Sequence, residues 1–174
     1  MAAKAKRKPE AQGAPGFDTD PLHRMTLGYL VNLIARLMAQ SLKARNGADG
    51  ILPGQYPVAV ELLLQDGMSQ RDLCEAVRIE QATMANTLKR MERDGLITRR
   101  QSTEDGRLST VHLTELGICR AQAAVRNAAE VNRIALDGLS PADQAALRNT
   151  LIDLAARLEA DLGEPAAETA EEIK

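Results

Sequence analysis

The side chains suited to covalent or acid–base chemistry are few and widely separated. His23 and His112 stand far apart, Cys74 and Cys119 form no C-x-x-C pair, and together they match neither a metal set nor a nucleophile–base arrangement. No glycine-rich phosphate loop accompanies them. No catalytic residue, metal site or cofactor is expected, and both cysteines read most simply as small buried hydrophobes. The concentrated chemistry is cationic. Lys89, Arg90, Arg93, Arg99, Arg100 and Arg107 fall between positions 89 and 107, where they outnumber Glu92, Asp94, Glu104 and Asp105. Ammonium and guanidinium groups at that density suit phosphate oxygens. Just upstream, Gln81, Thr83 and Asn86 add groups that can address base edges, and an Asn can bond adenine through two hydrogen bonds.

These groups need elements that hold them in a common surface. Apolar residues at three- and four-residue steps predict a helix from about Gln81 to Arg93, with Met84, Leu88 and Met91 turned inward and Gly95 as its stop. Gln81, Ala82, Thr83, Ala85, Asn86, Lys89 and Arg90 are then left on the outer arc. A shorter helix precedes it, opened by Ser69 with Asp72 three residues on as a capping box, and burying Leu73, Cys74 and Val77. Two short helices across the Arg78, Ile79 turn form a helix-turn-helix, whose second member reads the major groove. Leu96–Arg100 and Leu108–Leu113 follow as extended stretches around a polar loop, a β-hairpin with Arg107 near its tip. Arg107 is placed there to enter the minor groove, and Asp105 to hold its guanidinium. Arg99 and Arg100 alternate across the strand, so only one of them points to the backbone. Ser69, Gln70, Thr87 and Arg99 join the candidate DNA contacts.

The flanks are helical too. Leu22, Met25, Tyr29, Leu33, Ile34, Leu37 and Ser41 predict a long helix over Pro21–Ala44 with Asp20 as N-cap. Gly54–Gln65 should bury Tyr56, Val60, Leu63 and Leu64 before Asp66 and Gly67 end it. After the hairpin, Thr114 and Gly117 open a helix through Ala121, Val125, Ala128 and Ile134 to about Asp137. Ser140 and Pro141 start a last helix whose stripe Leu147, Leu151, Leu154 and Leu158 must be core or interface, because such a face is not left in water.

A length of 174 residues predicts one domain, and 44% hydrophobic with only 2% aromatic residues predicts an aliphatic core. So few rings argue against reading single strands by base stacking. The net charge of -2 hides a segregation: Lys4, Lys6, Arg7 and Lys8 at one end, Glu159 to Glu172 rich in acids at the other. Residues 1–19 and 163–174 read as basic and acidic tails. The apolar runs are too short for a membrane span and the N-terminus lacks a signal-peptide centre, which makes the cytoplasm the expected compartment.

From Leu22 to about Leu158 the sequence resembles the MarR family of bacterial regulators. The resemblance rests on LPGQYPVAVELLLQDGMSQRDLCEAV, the reader IEQATMANTLKRMERDGLITRR and the wing STEDGRLSTVHLTELG, above all on Asp105 and Arg107 between DGLITRR and LTELG. It implies a mainly α winged helix-turn-helix fold ordered α1-α2-α3-α4-β-wing-α5-α6, with a domain over 20–162. Within it, DNA binding falls at about 54–113 and dimerisation at about 20–45 and 114–162. It further implies a homodimeric repressor on a pseudo-palindromic double-stranded operator, released by a small aromatic carboxylate or phenolic effector. His23, Arg24 and Tyr56 stand where family members place ligand groups. Ala82, Ala85 and Asn86 depart from the Ser, Thr and Arg common in the family's reader, so the operator is this chain's own. Neither cysteine lies at the N-terminal position of the peroxide-sensing branch. The competing reading is a winged-helix protein-interaction module without DNA binding, which leaves the shared hairpin cations without a purpose.

Overall fold

A computed structural model describes residues 25–101 and 109–163. The order is α1 (Leu27–Asn46), α2 (Tyr56–Leu64), β1 (Met68–Ser69), α3 (Gln70–Val77), α4 (Gln81–Arg93), β2 (Ile97–Gln101), β3 (Ser109–Leu113), α5 (Glu115–Ala135) and α6 (Pro141–Gly163). The chain divides into two compact units at Ala128, inside α5, where its length alone predicts one. No residue of α6 is buried, so the second unit adds no second core along that helix.

The core of the first unit gathers Ile51, Val58, Leu62, Leu73, Met84, Leu88, Met91, Leu96, Ile97 and Val111. Met84, Leu88 and Met91 are fully buried at i, i+4 and i+7, which fixes the roll of α4. Each such side chain contributes about 1.5–3 kcal/mol relative to exposure, enough to outweigh the modest helix propensity of the polar outer arc. α3 begins with the predicted capping box: Ser69 Oγ accepts from the Asp72 N–H, and Asp72 accepts from the Ser69 N–H at 3.2 Å. The turn into α4 passes through Arg78 in left-handed conformation. Gly95, at φ 69°, ends the α4 segment and turns the chain into β2.

The sheet order is β1-β3-β2, all antiparallel, with Arg99 opposite Val111 and Arg100 opposite Thr110. β1 is only two residues, paired with Val111 and Thr110, and is too short to leave a periodic signal in the sequence. α5 opens as predicted, with Thr114 Oγ accepting from the Gly117 N–H at 2.9 Å. A Cβ at Gly117 would strike the Leu96 carbonyl, so only glycine lets α5 lie this close to the strand entrance.

Four inward faces differ from expectation. On α1, capped by Thr26, Tyr29, Ile34 and Leu37 are exposed, and the covered line is Leu30, Leu33, Met38 and Leu42. α2 buries Val58, Ala59 and Leu62, leaving Tyr56, Val60 and Leu63 half-buried and Leu64 exposed at 78%. It is apolar nearly all round, so its roll is set by the covered residues ahead of it, Ile51 and Gln55. On α5 the buried positions are Gly117, Ala121, Ala124 and Val131, the first three small residues that admit close approach, while Val125 and Ile134 face out. The α6 stripe is uncovered except for half-buried Leu154. Ser140 and Pro141 do start that helix, with Ser140 Oγ accepting from the Asp143 N–H at 3.2 Å. Asp20 and Pro21, and both tails up to residue 24 and beyond residue 163, lie outside the described residues.

Candidate nucleic-acid interface

With its apolar line turned inward, α4 exposes Gln81, Thr83, Asn86, Lys89 and Arg90. Lys89 and Arg90 make no hydrogen bond or ion pair among the described residues, and neither does the Asn86 side chain. Their neighbours are already neutralised. Arg93 pairs with Asp94 at 2.9 Å and Arg99 with Glu92 at 3.6 Å. The free cations of this surface are therefore fewer than the sequence count implies.

The strand alternation explains which arginine is free. Ile97 is buried and Arg99 shares its face, so the Arg99 guanidinium reaches back to the end of α4. Arg100 projects from the other face and pairs with no described residue. Arg99, the candidate DNA contact of the pair, thereby braces the wing to the reader helix, and Arg100 is the one without an ion-pair partner among the described residues. The hydroxyls of Ser69 and Thr87 have partners within the chain. The Ser69 hydroxyl donates to Asp72 at 2.8 Å, and the Thr87 hydroxyl donates to the Thr83 carbonyl at 3.0 Å. Gln70 donates to Gln81 Oε1 at 3.1 Å, tying the first residues of α3 and α4 together. His23, Arg24, Asp105 and Arg107 lie outside the described residues, and Tyr56 sits half-buried at the start of α2.

Two polar contacts that sequence reasoning misses set the positions of these elements. His112 Nδ1 lies 2.7 Å from Asp66 Oδ2 and Nε2 lies 2.9 Å from Thr110 Oγ1, while the Leu113 N–H donates to Asp66 Oδ1 at 3.1 Å. Partial burial pushes the Asp66 carboxyl up, but the hydrogen bonds from His112 and the Leu113 N–H, with the charge of His112, outweigh it and hold the pKa below the ordinary value. Asp66 reads in sequence only as part of a helix stop, and its partner is 46 residues away. Gln55 is 3% exposed; its Oε1 accepts from the Leu52 N–H at 3.0 Å and its Nε2 faces Asp94 Oδ2 at 3.4 Å, at the C-cap of α4.

The cysteines differ from each other. Cys74 is buried, which pushes its thiol up, whereas Cys119 is exposed and not the core residue expected. α5 turns Gly117 and Ala121 inward, which leaves position 119 outside. No helix among the described residues is long and apolar enough to cross a membrane.

A helix pair whose first member is capped, a reader helix with an inward apolar line, and a hairpin braced to that helix define a winged helix-turn-helix protein. Residues 49–108 match the MarR family. The organic hydroperoxide resistance transcriptional regulator of Bacillus subtilis (strain 168) is 32% identical over 99 residues, 57% of this chain and 67% of that one. The chain spans about two thirds of the length of the curated relatives it matches, with 64% for a second regulator from the same organism. Among solved structures, S. aureus MepR in complex with DNA shares 25% identity at a TM-score of 0.71, covering 76% of this chain and 98% of that one. The PcaV transcriptional regulator of Streptomyces coelicolor, in complex with its natural ligand, shares 25% identity at a TM-score of 0.66, covering 79% and 93%. The chain belongs to the MarR family. Its relatives and neighbours are transcriptional regulators, and the class is not an enzyme class.

Proposed function

We propose that the protein is a homodimeric repressor that binds a pseudo-palindromic operator in double-stranded DNA through α4 and the wing, and that a small aromatic carboxylate or phenolic effector releases it. The observation that carries this reading is the divided surface of α4: Met84, Leu88 and Met91 fully buried, and Gln81, Thr83, Asn86, Lys89 and Arg90 exposed beside Arg100. Gln81, Thr83 and Asn86 contact base edges, Gln70 orients Gln81, and Lys89, Arg90 and Arg100 bind phosphate. Arg107, assisted by Asp105, enters the minor groove. Ser69, Thr87 and Arg99 hold the frame.

The exposed apolar faces of α1 and α6 support a second copy as the remaining partner. Leu27, Tyr29, Ile34 and Leu37, and Leu147, Leu151, Ile152 and Leu158, are 41% to 65% exposed. Faces of that kind are covered by an equal surface in a symmetric pair. Helices over about 20–45 and 114–162 then serve dimerisation and residues 54–113 DNA binding, with the tails outside both. The DNA complex of MepR and the ligand complex of PcaV support the operator and the effector by similarity. His23, Arg24 and Tyr56 are the effector residues this similarity suggests.

Repeated selection of bound fragments from a random duplex pool tests the reading. The expected product is a two-fold symmetric consensus with half-sites one helical turn apart. Recovery of unenriched sequence at low salt would overturn it and favour the protein-interaction module.

A further inference from the structure

A line of four polar groups runs along the base of the wing, from the turn after α2 to the strand that carries Arg100. Asp66 and Gly67 form that turn over β3, where the Gly67 N–H donates to the Val111 carbonyl at 3.1 Å. Gly67, at φ 80°, lets the turn sit against the imidazole: a Cβ there would stand 3.1 Å from His112 Cε1. The His112 ring has Asp66 Oδ2 at 2.7 Å from Nδ1 and Thr110 Oγ1 at 2.9 Å from Nε2, and Thr110 Oγ1 lies 3.3 Å from the Arg100 carbonyl. The imidazole side chain is 19% exposed, so it is held on both nitrogens and still open to proton exchange. Arg100 pairs with Thr110 and Thr98 with His112, so Arg100, Thr110 and His112 share one face of the sheet.

While His112 is neutral the line is short of one proton. Asp66 is held ionised, so its oxygen can only accept, and His112 Nδ1 carries the ring proton. Nε2 is then an acceptor, and the single hydroxyl proton of Thr110 has two acceptors to serve, Nε2 and the Arg100 carbonyl. The nearer Nε2 takes it. A second proton on the ring makes Nε2 a donor to Thr110 Oγ1, and the hydroxyl turns to the Arg100 carbonyl. Every group in the line is then bonded, and the backbone at Arg100 is tied through Thr110 and His112 to Asp66.

We propose that His112 is a positioning residue of the wing, and that its protonation, relayed by Thr110, secures the backbone at Arg100 and strengthens operator binding. The inference rests on the reading of α4 and the wing as the operator-binding surface. The protonated ring also places a positive charge on the face that carries Arg100, which acts in the same direction on phosphate. Asp66 is the charge that meets the ring from the turn, and Arg100 is the charge β2 adds on this face. Of the helices packed on β3, α2 carries only Glu61, and in α3 Arg71 pairs with Glu75 while Asp72 accepts from Ser69. Operator and proton each raise the other's affinity, so Kd falls as pH is lowered through the range in which imidazole titrates.

Titrations of the full chain with its selected operator, at constant ionic strength from about pH 6 to about pH 8, test the inference. The wild type should bind about tenfold more tightly at the acid end and take up protons on binding, read by calorimetry in two buffers of different ionisation enthalpy. His112→Gln, an uncharged amide of similar reach, should vary by less than about threefold over the same range. Thr110→Val breaks the relay and leaves the ring's charge, and should remove at least about half of the pH dependence, which Thr110→Ser should restore. Should His112→Gln not fold, the Thr110 pair carries the test. An equal pH profile in wild type and His112→Gln overturns the inference. So does a profile that Thr110→Val leaves whole, because charge alone then accounts for it, or one that disappears only in His23→Ala. Those outcomes leave the operator reading intact, whereas a wild type that selects no operator breaks that reading and the inference with it.

Discussion

The winged-helix segment and helix α6 handle similar apolar content in opposite ways. Between Ile51 and Val111 most large aliphatic side chains, Leu64 apart, close on one another, with Leu73, Met84, Leu88 and Met91 fully buried, and the surface is mainly polar. On α6 the leucines stay in water: Leu147 is 41% exposed, Leu151 49%, Leu158 65% and Leu162 85%. The first arrangement is complete within one chain, whereas an exposed apolar face like the second marks an interaction surface. The contrast separates two duties. One region keeps a fixed shape to present α4, and the other carries the apolar face that a second copy covers in the proposed dimer.

Substitutions can break this division from either side. Leu88→Ala removes a fully buried side chain beneath α4 and is expected to cost about 2–5 kcal/mol, read as a lowered denaturation midpoint. Leu151→Glu should instead act on assembly. A charge placed in the covered face of a dimer should raise its dissociation constant at least about a hundredfold, close to 3 kcal/mol, measured by sedimentation equilibrium. A dimer unaffected by Leu151→Glu would show that α6 is not its interface. Ser69→Ala removes the capping hydroxyl of α3 and should cost about 1 kcal/mol by chemical denaturation.

The smallest effect concerns the base of the wing. Asp66 has a depressed folded-state pKa, so its ionised form favours the folded state. That contribution is complete above the ordinary carboxyl value of 3.8 and is lost as pH falls through the lower folded value. Asp66→Asn should therefore flatten the acid limb of the stability profile. An acid limb identical to that of the wild type would mean that the contact with His112 carries no stability.

The same division explains what the sequence discloses. α4 is legible to its ends because one line of buried residues alternates with polar ones and Gly95 follows. The α3 cap is legible because Ser69 and Asp72 are three residues apart. α2 hides its roll, since YPVAVELLL offers an apolar side in almost every direction and neighbours choose among them. The apolar lines of α1 and α6 are visible in the sequence, but periodicity marks a face as covered without naming the cover. The alternation of Arg99 and Arg100 is equally plain, but that the arginine on the Ile97 face meets Glu92 at the end of α4 depends on the packing of wing against helix. The Asp66–His112 and Gln55–Asp94 contacts join residues 46 and 39 positions apart, a distance that no local pattern spans.

Binding to the selected operator across a range of salt concentrations, for the wild type and for the triple variant Lys89→Ala, Arg90→Ala, Arg100→Ala, tests the central claim most directly. Each phosphate that the variant no longer neutralises should lower the slope of log K against log salt by about one, hence about six for a two-fold complex. An unchanged slope and affinity in a variant that folds normally would place the DNA elsewhere and contradict the account.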